Sequence, residues 1–220
     1  MILDIHTHHL YPQPYGVINL RLIDGDLAVV RNSILSGQLY SIGIHPWDVA
    51  NHDESAEFWK DLEKIISLNN VVAIGEAGID PNGNAPIFEQ MLVLKKQIEL
   101  SEKIGKPLII HTVKSDDVIC GLRRDLNPRM PWLIHGYRGK PQGAAQLIKR
   151  GCMIGFGEKF NSETLRSVPL DKILAETDES RMSIDEVIKG LSEVRGGDLK
   201  PVIAENSSKF LNFEKLCVNR

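Results

Sequence analysis

The sequence predicts an α/β protein, a (β/α)8 barrel of the TIM type that is shortened and irregular in its first βα units. Three observations predict it. From residue 40 onward, apolar runs of strand length alternate with longer segments of helical period, the pattern of parallel strands joined by helices. Eight such runs can be placed, the number that closes a barrel. The 220 residues, without an internal repeat or low-complexity linker, fit a single domain over 1–220, toward the short end for that fold.

Residues 2–5 form the first strand and 17–20 a short second one. Between His9 and Tyr40 there is no room for two full βα units, because Tyr11-Pro12-Gln13-Pro14 breaks any helix and residues 20–30 read as a turn around Asp24-Gly25-Asp26. Strand 39–44 precedes a helix within 53–68, where Phe58, Leu62, Ile65 and Ile66 fall at helical spacing. Strand 71–74 leads to helix 87–104, with Leu94, Ile98 and Ile104 recurring on one face. Strand 107–110 is followed by a helix near 116–125, and strand 132–134 by one near 142–149. Strands 153–156 and 173–175 and two helices, 184–194 and 202–211, complete the series.

Composition narrows the class. With 42% hydrophobic and 25% charged residues the chain is an ordinary globular sequence, and no apolar run approaches the roughly 18 residues needed to cross a bilayer. The start, Met1-Ile2-Leu3-Asp4-Ile5-His6, lacks the basic-then-apolar order of a leader and reads as mature protein. Cys120, Cys152 and Cys217 are odd in number and form no CxxC pair, which points away from disulfides and zinc ribbons and toward a reducing cytoplasm. The net charge of -3 exerts no general pull on nucleic acid. Residues 103–166 nevertheless carry twelve Lys/Arg against five acidic residues, a weak sign of a polyanion-facing side that solvated helix faces would also explain.

The chemistry starts at Asp4-Ile5-His6-Thr7-His8. Residues two apart on a strand face the same way, so His6 and His8 can grip one ion, while His9 points opposite and is a bystander. His111 and His135 end two further strands, and Glu76 and Asp178 follow two more. Because strand C-termini converge on one mouth in such a barrel, five strand ends bring together four histidines and two carboxylates. Each residue alone has an ordinary explanation, a loop-capping histidine or a carboxylate paired with lysine; together they predict a metal site. Imidazole with carboxylate suits Zn, Mn, Fe or Ni, and a carboxylate between two histidine clusters bridges two metals.

Six ordered motifs then carry a resemblance: the DxHxH start, Gly43-Ile44-His45-Pro46, Gly75-Glu76-Ala77-Gly78-Ile79-Asp80, Pro107-Leu108-Ile109-Ile110-His111-Thr112, Leu133-Ile134-His135-Gly136-Tyr137 and Glu176-Thr177-Asp178. In this order they resemble the TatD-related metal-dependent hydrolases, within the amidohydrolase-like barrels, and the chain looks like a short member. The resemblance implies two divalent ions (Zn, Mg, Mn, Fe or Ni): His6, His8 and Asp178 hold one, His111 and His135 the other, and Glu76 bridges them. It implies catalytic roles for Glu76 and Asp178, the latter taking a proton from the attacking water, and places His45 near the scissile phosphate. The implied activity is hydrolysis of DNA phosphodiesters, with DNA as the partner and no membrane.

Three departures from the family pattern bear on substrate. Val113 stands where many relatives have arginine, with Lys114 a partial substitute; the run Glu179-Ser180-Arg181-Met182 replaces a longer basic loop; and little chain lies between His9 and Tyr40. A more open cleft follows. Tyr137 and Trp47 are candidates to stack on a base, or to pack the barrel rim. Two alternatives stay open: a metallohydrolase of a small-molecule amide or ester, favoured by Val113, and a non-catalytic relative. His45, Lys114 and Arg138 favour DNA.

Overall fold

The computed structural model describes residues 1–10, 16–53 and 55–211. Eight parallel strands close in sequence order into the expected barrel: β1 (Asp4–Thr7), β2 (Gly16–Arg21), β3 (Leu39–Gly43), β4 (Val71–Ile79), β5 (Leu108–Thr112), β6 (Trp132–Ile134), β7 (Cys152–Phe156) and β8 (Ile173–Ala175). The helices are α1 (Leu27–Ser33), α2 (Ala56–Ile66), α3 (Ile87–Ile104), α4 (Asp116–Leu126), α5 (Pro141–Lys149), α6 (Ser162–Ser167), α7 (Ile184–Arg195) and α8 (Lys200–Phe210). Among the described residues no helix is long and apolar enough to cross a membrane.

Alternation along the strands positions the site. Val17, Ile109, Leu133, Met153 and Leu174 pack together in the inner apolar cluster with Ile5 and Val72. Two residues further along the same rows, hence on the same face, stand Asn19, His111, His135, Gly155 and Glu176. One strand repeat thus converts a dry layer into a polar mouth. At the far end Ile2, Phe210 and Leu211 join the inner cluster, so the last turn of α8 plugs the barrel. Outward residues such as Ile42, Ile74, Ile110, Trp132 and Ile154 pack in a second cluster with Leu62, Leu94, Ile119 and Leu147 of the helices. Each such side chain contributes about 1.5–3 kcal/mol when fully buried.

The irregular quarter differs in detail from expectation. Only eight residues, 8–15, separate β1 from β2, fewer than the roughly ten to twelve of a βαβ crossover. The proline break at Tyr11-Pro12-Gln13-Pro14 lies outside the described residues, as does Cys217. Residues 20–30 hold more than a turn: Asp26 caps the seven-residue α1, accepting from the N–H groups of Ala28 and Val29 at 2.9 and 3.0 Å. The residues that signal a turn also supply this cap. Helix α6 is absent from the sequence reading because Leu165 is its one apolar residue; Asn161 caps it, accepting from Glu163 and Thr164.

Strand β4 is longer than the expected 71–74, and all nine of its residues are buried, so Glu76 lies inside the strand and does not follow it. His111 is likewise within β5. Gly75, Ala77 and Gly78 hide this extension by ending the β-branched run. Packing needs the last of them small: a Cβ on Gly78 would stand 1.8 Å from the His111 carbonyl oxygen.

Candidate metal centre

His6 and His8 leave β1 on one face, the first fully buried and the second partly exposed. Asp178 reaches them because the β1–β8 pairing continues beyond β8. Its N–H donates to the His6 carbonyl at 3.0 Å, and the His8 N–H donates to the Asp178 carbonyl at 3.1 Å. These two bonds hold Asp178 in the left-handed region at φ 54, where a non-glycine residue is strained. Its Oδ1 then lies 3.6 Å from His6 Nε2 and 3.5 Å from His8 Nε2.

Glu76 stands between two histidine sets. Its Oε1 is 3.5 Å from His6 Nε2 and 3.2 Å from His8 Nε2, and accepts from Asn19 Nδ2 at 2.9 Å. Its Oε2 is 3.0 Å from His135 Nε2, 3.4 Å from His111 Nδ1 and 3.6 Å from His45 Nε2. His111 Nδ1 and His135 Nε2 approach to 3.2 Å, two ring nitrogens converging on one point. Three overlapping groups can each hold an ion: His6 with His8 and Asp178, His6 with Glu76 and His135, and His45 with Glu76 and His111.

The donor set fits divalent cations, and one observation argues for them specifically. Among the described residues both ring nitrogens of His6 are buried without a hydrogen-bond partner, and a buried polar group left so is costly. A cation at Nε2 would satisfy that nitrogen and offset the charge of the facing Glu76 and Asp178. Burial opposes charge on His6, but Glu76 and Asp178 outweigh it and lift its pKa to about 9. His135 is raised well above the usual value, Glu76 and Glu176 prevailing over burial. Burial would raise Glu76, but the facing histidines hold it well below the carboxylate range, and His6 likewise lowers Asp178 against burial.

His45 behaves differently. Burial pulls its pKa down to about 3, so it is neutral at physiological pH. Its Nδ1 accepts the Trp47 N–H at 3.1 Å, which places the ring proton on Nε2, facing the site. In that tautomer His45 is a hydrogen-bond donor and not a ligand, so the third of the groups above is left with only Glu76 and His111 to hold an ion.

All six residues expected to bind metal meet at this mouth. His9 stands aside, bonding the Ser180 carbonyl at 2.9 Å. Lys114, at φ 51, and Arg138 border a cavity of about 350 Å³ shared with His111, His135 and Asp178. Tyr137 corrects an expectation: only 5% exposed, it packs in the outer core cluster with its hydroxyl toward Asp116 at 3.3 Å, so its ring cannot stack on a base. Trp47 keeps 44% exposure and is anchored by Nε1 donating to Asp80 Oδ2 at 2.7 Å.

Sequence reasoning assigned no role to Asn19, Asp80 and Glu176. Asp80 Oδ2 lies 3.3 Å from His111 Nε2, and Glu176 Oε1 lies 3.5 Å from His135 Nδ1. For Asn19 and Glu176 the available signal was their place two residues beyond the inward-facing Val17 and Leu174.

Comparison with known proteins now decides the family. The family model described as TatD related DNase matches residues 27–211. The chain belongs to this TatD-related family. It is 29% identical over 156 residues to an uncharacterized metal-dependent hydrolase, YjjV, of Escherichia coli K12, covering 66% of this chain and 59% of that one. It is 26% identical over 157 residues to the deoxyribonuclease Tat-D of Schizosaccharomyces pombe, covering 63% and 50%. The aligned sequence thus spans less than two thirds of these TatD relatives' length. The crystal structure of E. coli YjjV, a TatD homologue, superposes with a TM-score of 0.80 at 21% identity over 96% of this chain and 98% of that one, which shows the shared barrel.

Proposed function

We propose that the protein is a divalent-metal-dependent deoxyribonuclease that hydrolyses DNA phosphodiester bonds at a two-ion centre. The observation that carries this is the division of Glu76, whose Oε1 faces His6 and His8 while Oε2 faces His111 and His135. A carboxylate shared in this way suits a bridge between two ions. His6, His8 and Asp178 would hold one, His111 and His135 the other. When bound, two divalent ions supply water activation at neutral pH and charge neutralisation on the phosphoryl oxygens.

The remaining roles fall to the chain. Asp178, partly exposed and held ionised, is placed to take the proton of the attacking water. His45 donates its Nε2–H toward the phosphate without adding charge. Lys114 and Arg138, for which no salt bridge is seen among the described residues, supply cations at the cavity edge for the substrate backbone. The family description and the named activity of the fission-yeast relative support DNA as substrate.

One observation favours a second reading, hydrolysis of a small amide or ester: the cavity of about 350 Å³ is lined by Val113 where an arginine would grip phosphate. The test measures metal content by plasma mass spectrometry together with cleavage of single- and double-stranded DNA by wild type, Glu76→Ala and Asp178→Asn. Two metals per chain and cleavage abolished in both variants is expected. Two metals without DNA cleavage shifts the assignment to the small-molecule reading, and a metal-free, inactive wild type overturns both.

A further inference from the structure

Resting on the two-ion reading above, we propose that Glu176 is the positioning residue for His135: it accepts the Nδ1 proton and thereby leaves Nε2 as the lone pair that meets the ion. Glu176 follows Ala175 of β8 and is fully buried in the inward row. Its Oε1 lies 3.5 Å from His135 Nδ1 and accepts the Gly136 N–H at 2.5 Å. Among the described residues Glu176 Oε2 and His135 Nδ1 are both buried without a hydrogen-bond partner, in two side chains that face one another. Hydrogen bonds within such sites are often long before the site is filled and tighten afterwards.

The chain makes room for this carboxylate. On the adjoining strand β7, a Cβ at Gly155 would stand 2.7 Å from Glu176 Oε2 and 3.2 Å from the His135 Cα. Burying a carboxylate costs several kcal/mol unless it is paired, and any apolar side chain would have filled the space without that cost. A compensating role is therefore needed, and the imidazole supplies it. A neutral imidazole carries one proton on one of two nitrogens. His135 Nε2 is 3.0 Å from Glu76 Oε2, so Glu76 alone would draw the proton to Nε2 and point a donor at the place where an ion binds. A second carboxylate behind Nδ1 reverses that preference. Asp80 stands behind His111 in the same way, 3.3 Å from Nε2, but it also accepts from Trp47 and Asn82, whereas the Glu176 carboxylate has the Gly136 N–H and His135.

The test compares zinc binding to chelator-stripped wild type, Glu176→Ala and Glu176→Gln by calorimetry, with long-range 1H–15N spectra of the histidines in zinc-loaded protein. Glu176→Ala is expected to weaken one of two ions about 10–100-fold and leave the other unchanged. Glu176→Gln, whose amide oxygen can still accept from Nδ1, is expected to restore most of that loss, and His135 is expected to carry its proton on Nδ1. If both ions bind Glu176→Ala as tightly as wild type, or if His135 carries its proton on Nε2, this inference is overturned while the two-ion reading stands. If Glu176→Ala does not fold, the Gln variant and the wild-type tautomer decide. A wild type that binds no zinc overturns the two-ion reading itself.

Discussion

Asp4 holds Thr177 twice, Oδ1 accepting its N–H at 2.9 Å and Oδ2 its hydroxyl at 2.7 Å, with both residues buried. Thr177 Oγ1 also lies 2.8 Å from Thr7 Oγ1. This polar knot ties the end of β8 to β1 between His6 and Asp178. It closes the barrel where the two elements share a single paired position, Asp4 with Ala175. The first residue of the DxHxH motif therefore acts on the site through the backbone that carries Asp178.

Thr177→Val keeps the side-chain shape and removes the hydroxyl, leaving Asp4 Oδ2 without this partner in a dry environment. A loss of about 1–3 kcal/mol is expected. At this chain length that lowers the melting temperature by roughly 2–12 °C. Thr177→Ser, which keeps the hydroxyl, should retain most of the stability. Equal thermal unfolding of the Val variant and wild type would show that the knot contributes nothing.

Gly78→Ala should be far more severe. The added methyl would meet the His111 carbonyl oxygen at 1.8 Å, and Gly78 pairs with His111 across β4 and β5. Relief requires those strands to part, which separates Glu76 from His111; because overpacking is combined here with a broken ladder, a loss at the exceptional end for a single substitution, above about 4 kcal/mol, is expected. Insoluble or metal-poor protein is expected on expression. A soluble Gly78→Ala protein with wild-type metal content would contradict this strand register.

His6 and His8 were legible because alternate strand residues share a face, and His111 and His135 because each closes an apolar run. Glu76 and Asp178 were legible as carboxylates that follow two further apolar runs; what was concealed, for physical reasons, is the place of Glu76 inside β4 and the residues behind the ligands. Glu76 sits mid-strand among small residues whose value lies in close backbone approach, as at Gly78, and not in β-propensity. Asn19 and Glu176 acquire meaning only once the rows of β2 and β8 are known to run inward above Val17 and Leu174. Tyr137 shows the converse: an aromatic beside a strand end reads alike in sequence whether it turns to solvent or, as here, into the core.

Lys114 and Arg138 should matter to polynucleotides and not to the chemistry. Each phosphate contact adds about 0.7–0.9 to the slope of log affinity against log salt. Lys114→Ala and Arg138→Ala are each expected to lower that slope by about one unit and raise the KM for DNA several-fold. Hydrolysis of bis(p-nitrophenyl) phosphate, which has no flanking phosphates, should stay near wild type. An unchanged salt slope in the double variant would remove these residues from the DNA path.

The metal-free protein should lose stability as pH rises. His6 has its pKa lifted to about 9 in the folded chain, against an ordinary value of 6.5, and His135 moves the same way. A base whose pKa is raised by folding contributes stability that is fully present below pH 6.5 and lost as pH climbs through 9. Lys106 works in the opposite sense, since burial lowers it to about 8, but its effect grows only above that pH. Between pH 6.5 and 8 the histidines dominate, and chelator-treated protein is expected to lose about 2 kcal/mol, or on the order of 5 °C. Saturating zinc reverses the trend, because ligation needs the unprotonated rings and tightens as protons leave. Melting temperatures at pH 6.5 and 8, with chelator and with zinc, give the comparison. Glu76→Gln removes the charge that raises both histidines and should flatten the metal-free dependence, and a chelated wild type equally stable at both pH values would rule out His6 as a proton-binding site.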